Sequence, residues 1–172
     1  MGFELHPETP PEGMSLPDHL PGVDVSRMYD AIAARAQEFG FVIKPAPRMP
    51  NTRAALYAAE YARDHGRFEE LHSLLFNAYF SDSADIGDLD VLRTLAAQAG
   101  LEPEGMTEAV TSGRYHPRLQ QAREEARLLG LTGIPLFLFM PPDHSQPLKV
   151  SGARPLEDFR SLLSRLCGRP VH

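Results

Sequence analysis

A chain of 172 residues with 42% hydrophobic side chains is long enough for one domain with a sizeable core. Its net charge of −6 and pI near 5.6 remove any general electrostatic drive toward nucleic acid. No run of Lys or Arg marks an anionic membrane surface, and the apolar stretch from Ile134 to Met140 falls far short of the roughly 20 residues of a membrane span.

The N-terminus shows no basic and apolar signal-peptide regions. Phe3 and Leu5 alternate with Glu4 and His6, which predicts a short strand over Gly2–His6. Pro7, Pro10, Pro11, Pro17 and Pro21 then predict an irregular, surface-running connection to about residue 23. A helix follows from about Ser26 to Phe39, with Met28, Ile32, Ala36 and Phe39 as its apolar stripe and Gly40 as its stop. Phe41-Val-Ile43 reads as a short extended piece before Pro45, Pro47 and Pro50. Asn51 is a good N-cap for a helix from Thr52 to His65 that Gly66 closes. Leu71, Leu74, Leu75, Ala78 and Tyr79 fall on one face of the next helix. Asp88, Pro103 and Pro117 open three more, which end near Gly100, Ser112 and Gly130.

The pattern then changes. Leu136-Phe-Leu-Phe139 is a continuous apolar run, expected of a strand covered on both faces. Pro141-Pro-Asp-His144 predicts a turn, and Leu148-Lys-Val150 a second strand paired to the first as a hairpin. Pro155 opens a last helix with Leu156, Phe159, Leu162, Leu163 and Leu166 on its core face. Cys167, the only cysteine, permits no internal disulfide; a reducing, cytoplasmic location is the expectation. The histidines, His65 and His72 among them, form no compact ligand set, so no metal is expected. Phe76, Tyr79 and Phe80 read as core.

Four stretches together resemble DsbA-like thioredoxin-fold proteins, in particular their FrnE-like subfamily. They are Phe3-Glu-Leu-His-Pro with the proline-rich loop to Gly13, Asn51-Thr-Arg-Ala-Ala-Leu, Phe76-Asn-Ala-Tyr-Phe80 with Asp85-Ile86, and Gly130-Leu-Thr-Gly-Ile-Pro-Leu-Phe137 with Val150-Ser-Gly-Ala153. The 2-hydroxychromene-2-carboxylate isomerases and kappa-type glutathione transferases are neighbours of that group. The resemblance implies an α/β, thioredoxin-like fold with a large helical insertion, as a single domain over 1–172. Residues of about 24–130 would form the helical insertion and 131–172 the C-terminal strand-strand-helix unit. It also implies that the fold is N-terminally incomplete here, with the first strand, the Cys-x-x-C and the first helix absent. Unpaired strand backbone costs on the order of 1–3 kcal/mol per buried group. Rearranged local strands, or a homodimer completing the sheet, are therefore expected.

The resemblance also names candidate site residues. Ile134 and Pro135 correspond to the cis-proline loop, which docks an extended thiol-containing peptide or protein. Disulfide exchange needs an attacking thiolate and a resolving thiol, and Cys167 alone supplies neither from the usual position. The expected function is that of a thiol–disulfide oxidoreductase-like protein that is redox-inactive in this form. No catalytic residue and no cofactor are assigned. The alternatives are a glutathione-dependent isomerase or transferase relative, for which glutathione would be the ligand, and a non-enzymatic peptide-binding or self-associating domain. Asn51 reads first as an N-cap, but in the isomerase and kappa-transferase relatives its counterpart approaches the substrate. Ser151 and Gly152 read first as a strand-to-helix turn, and in those relatives their counterparts meet a thiol peptide's carboxylate.

Overall fold

A computed structural model describes residues 3–46, 48–131, 133–141 and 146–168. The chain forms two compact units, Met1–Glu124 and Glu125–His172. Eight α-helices, one π-helical turn and two two-stranded sheets make up the described residues.

The first unit is held by α3 (Arg53–Asp64), which packs against α4 (Phe68–Phe76), α5 (Leu89–Gln98) and α6 (Pro103–Thr111). Alanine has the highest helix propensity, and five of the twelve residues of α3 are alanine. Ala58 and Ala62 are fully buried, so α6 comes close to the α3 backbone, and Leu71, Leu92 and Met106 fill the space with no exposed surface. Local signals place the ends. Asp88 caps α5 by accepting from the Asp90 N–H at 2.7 Å, and Pro103 sits in the first turn of α6, where no amide donor is needed. Gly66, at φ +68°, lets the Arg67 N–H reach back to the Ala62 carbonyl at 2.8 Å and closes α3.

Several expectations are corrected. Phe3–His6 forms no strand, because no strand among the described residues runs beside it; Glu4 instead pairs with Arg53 at 2.9 Å. The proline-rich segment is not only surface. Thr9 and Leu16 are buried, and the segment contains β1 (Met14–Ser15) and α1 (Leu16–His19). β1 pairs antiparallel with β2 (Arg48–Met49), with Met14 opposite Met49. In α2 (Val25–Gln37) the buried residue is Tyr29, while Ile32 and Phe39 are exposed. Phe41–Ile43 is loop, stitched down by the Lys44 N–H to the Phe80 carbonyl and by the Ser81 hydroxyl to the Val42 carbonyl, both at 2.8 Å. α4 passes at Asn77 into a π-helical turn, Asn77–Ser81. Phe76 and Phe80 are exposed rather than in the core, lining an apolar groove with Phe41 and Val42.

α7 (His116–Leu128) leads into the second unit, where β3 (Leu136–Phe139) and β4 (Leu148–Ser151) form an antiparallel hairpin followed by α8 (Leu156–Cys167). Phe159 of α8 meets Phe137 and Phe139 at ring separations of 4.7 and 5.9 Å. β3 is not covered on both faces, since Leu138 is 45% exposed. Leu156, expected in the core, is exposed, because α8 has only a two-stranded hairpin to cover. Of the predicted turn 141–144, residues 142–144 lie outside the described residues.

Candidate functional site

Four of the five candidate residues converge at one end of the β3–β4 hairpin. Leu136 stands opposite Ser151, and the Gly152 N–H donates to the Pro135 carbonyl at 2.9 Å. The Ile134–Pro135 peptide bond is cis. Ile134 is 63% exposed, and neither its N–H nor its C=O makes a hydrogen bond among the described residues.

The register decides what the free edges offer. The Gly152-to-Pro135 bond makes 135/152 a hydrogen-bonded pair, so 137/150 and 139/148 are hydrogen-bonded as well. The intervening pairs 136/151 and 138/149 turn their backbone groups outward. Leu136 and Leu138 therefore present N–H and C=O along the free edge of β3, and Lys149 and Ser151 do so along β4. No other strand among the described residues pairs with either. Side chains divide the same way. Phe137, Phe139 and Val150 share the face on which Phe159 packs, and Leu136, Leu138, Lys149 and Ser151 share the other.

Asn51 belongs to the first unit, and its side chain is committed there. Its Nδ2 donates to the Thr9 carbonyl at 2.6 Å and its Oδ1 accepts from the Arg53 N–H at 3.0 Å. It ties the proline-rich segment to the start of α3. Arg53 strengthens the same junction by donating to Glu4 at 2.9 Å and to the Pro7 carbonyl at 3.3 Å.

Elsewhere the first unit gathers a charge network around Glu60 and Asp64. Glu60 is 1% exposed and meets Arg118 at 3.3 Å and Arg63 at 3.4 Å. Arg118 also donates to Asp64 at 2.8 and 3.2 Å, and the Tyr115 hydroxyl donates to Asp64 at 2.9 Å. The Arg118 guanidinium holds the Asp64 carboxyl below its ordinary value, while burial and then Asp64 push the Tyr115 hydroxyl up. These contacts clamp α3 to α7. The Tyr57 hydroxyl lies 3.0 Å from Nδ1 of His116. These partners are more than fifty residues apart in sequence and carry no motif, so nothing local could have paired them.

Cys167 is exposed on the last turn of α8, eight residues beyond Phe159, or about 12 Å along the helix axis. No group of three or more His, Cys, Asp and Glu side chains suited to a metal occurs among the described residues. No helix there is long and apolar enough to cross a membrane.

A family model described as the DSBA-like thioredoxin domain matches residues 2–164. Among curated proteins, the uncharacterized protein YwbO of Bacillus subtilis (strain 168) is 28% identical over 145 residues, which is 80% of this chain and 69% of that protein. The crystal structure of a probable DsbA oxidoreductase from Streptomyces coelicolor superposes with a TM-score of 0.81 over 99% of this chain and 75% of that one. Sequence identity to it is 24%, so the likeness is one of fold.

Proposed function

The chain belongs to the DSBA-like thioredoxin domain family, and we propose that it serves there as a peptide-docking domain with no thiol–disulfide exchange centre among its 172 residues. The observation that carries this reading is the exposed Ile134, whose N–H and C=O are unbonded among the described residues, continuing into the outward backbone groups of Leu136 and Leu138. Such an edge takes an extended chain by strand addition, with main-chain bonds giving affinity and side chains giving selection. Ile134 and Leu138 are both exposed, which favours an apolar peptide. Exchange requires a nucleophilic thiolate and a second thiol to release the mixed disulfide. The one cysteine, at the end of α8, supplies no such couple.

The test has two arms. Titration of the isotope-labelled protein with an extended apolar peptide should shift the Ile134, Leu136 and Leu138 amides, and Ile134→Asp should weaken the binding. Insulin reduction should show no turnover. Turnover that persists in Cys167→Ser, or a peptide that leaves the β3 amides unmoved, overturns the proposal.

A further inference from the structure

The opposite edge of the hairpin has a different chemistry. Between β4 and α8 lies a cleft of ≈ 380 Å3 whose polar lining is Lys149, Ser151, Arg154, Asp158, Ser161 and Arg165. Two guanidiniums, Arg154 and Arg165, stand there against one carboxylate, Asp158. Arg154 and Arg165 make no hydrogen bond or ion pair among the described residues, whereas Arg160 is satisfied by Glu157 at 2.7 Å. Lys149 lines the cleft through its β4 backbone, its ammonium lying on the other face of the hairpin, where it donates to the Leu129 carbonyl at 2.8 Å. Phe159 and Leu162 add apolar surface to the same cleft.

The charge is segregated along the chain. Residues 125–172 carry six Lys and Arg against four Asp and Glu, a net +2, while residues 1–124 carry −8. The cleft is thus a local positive site in an acidic chain, which selects an anion by position rather than by bulk charge.

We propose that this cleft binds an acidic polypeptide segment, which adds as a strand along β4 and sets its carboxylates on Arg154 and Arg165. A planar guanidinium fits a carboxylate with two parallel hydrogen bonds. The outward N–H and C=O groups of Lys149 and Ser151 need a partner that alternates donor and acceptor, as a polypeptide backbone does. A phosphodiester chain would satisfy the arginines but offers no donors to the β4 carbonyls. This site uses the β4 edge and is independent of docking at Ile134 and β3.

The probe is a fluorescein-labelled peptide alternating Glu and Val, read by anisotropy against a counterpart alternating Lys and Val. The Glu peptide should bind and weaken as salt is raised. The Lys peptide should bind at least about tenfold more weakly, and Arg154→Glu with Arg165→Glu should cost the Glu peptide about tenfold, as expected for lost rim charges. The Lys149 and Ser151 amides should gain protection from hydrogen exchange on binding. Circular dichroism establishes that the double variant is folded; should it not be, Arg154→Gln alone and the Lys peptide make the same comparison. Equal binding of both peptides, salt-independent binding, or binding of a labelled oligonucleotide in place of the Glu peptide overturns the proposal.

Discussion

Asn51 resolves a choice that its residue type leaves open. Both ends of its amide are used, one on the Thr9 carbonyl and one on the Arg53 N–H, and Thr9 is 4% exposed. Thr52, not Asn51, is the N-cap residue of α3, so removing the Asn51 side chain deletes the acceptor of the first helical amide, Arg53 N–H, and leaves a buried carbonyl without its donor. We therefore expect Asn51→Ala to cost about 1–3 kcal/mol in urea unfolding. Asn51→Asp, which keeps the acceptor for the Arg53 N–H, should cost less. An unchanged urea midpoint in Asn51→Ala would contradict the structural role. Asp64 gives a second residue-scale prediction, in pH. Arg118 lowers its carboxyl in the native state, so the pairing stabilises the fold above the ordinary carboxyl value of about 3.9 and is lost as pH falls through the lowered native value. Asp64→Asn should therefore be less stable at neutral pH and show a shallower loss below about pH 4. The side chain is 31% exposed, so solvent screening keeps the effect modest. Urea midpoints across acid pH that fall equally steeply in both proteins would refute it.

At the scale of elements, the β1–β2 pair depends on one glycine. Gly13 has φ +73°, and a Cβ there would stand 2.5 Å from the Met49 carbonyl oxygen, a backbone atom that cannot swing away. Its own carbonyl also accepts from Arg48 at 2.9 Å. Gly13→Ala should cost about 2–4 kcal/mol, combining left-handed strain with overpacking; a thermal scan that shows no loss would rule this out. Elements with a periodic face and a local stop were legible beforehand, as α3, α5, α6 and the β3–β4 hairpin were, because propensity, caps and glycines act within a few residues. The expected strand at Phe3–His6 failed, because a strand is defined by its neighbour and none among the described residues lies beside that segment. Leu156 and Phe76 failed for a related reason: helical spacing marks an apolar face without saying whether anything covers it. The site follows the same division. Pro135 and Gly152 could be placed together from a run of strand-forming residues and a turn. The basic cleft could not, since Arg154 and Arg165 become neighbours only when α8 lies against β4.

For the whole molecule, the two units are unequally built. The first surrounds Leu71, Leu92 and Met106 completely. In the second, no residue of α8 is buried, and the hairpin strands are at best partly covered. Two strands and one helix bury little apolar area, and a two-stranded hairpin is marginal alone. Opening free energies follow such differences, with well-packed helices near the global value and thinly packed elements far below it. Amides inside the hairpin, such as those of Phe137 and Val150, should therefore exchange at least about 100-fold faster than those of Leu71 and Leu92, a difference of about 2.7 kcal/mol. The same weakness makes the hairpin responsive to ligand. A peptide on either edge binds only the formed hairpin, so at 100 times its dissociation constant it should slow these amides by about 100-fold and leave α3 unchanged. Mass-resolved exchange with and without peptide measures both quantities. Hairpin amides as slow as those of α3 in the free protein would show that the second unit opens only with global unfolding. The docking edges would then be rigid surfaces rather than elements stabilised by what they bind.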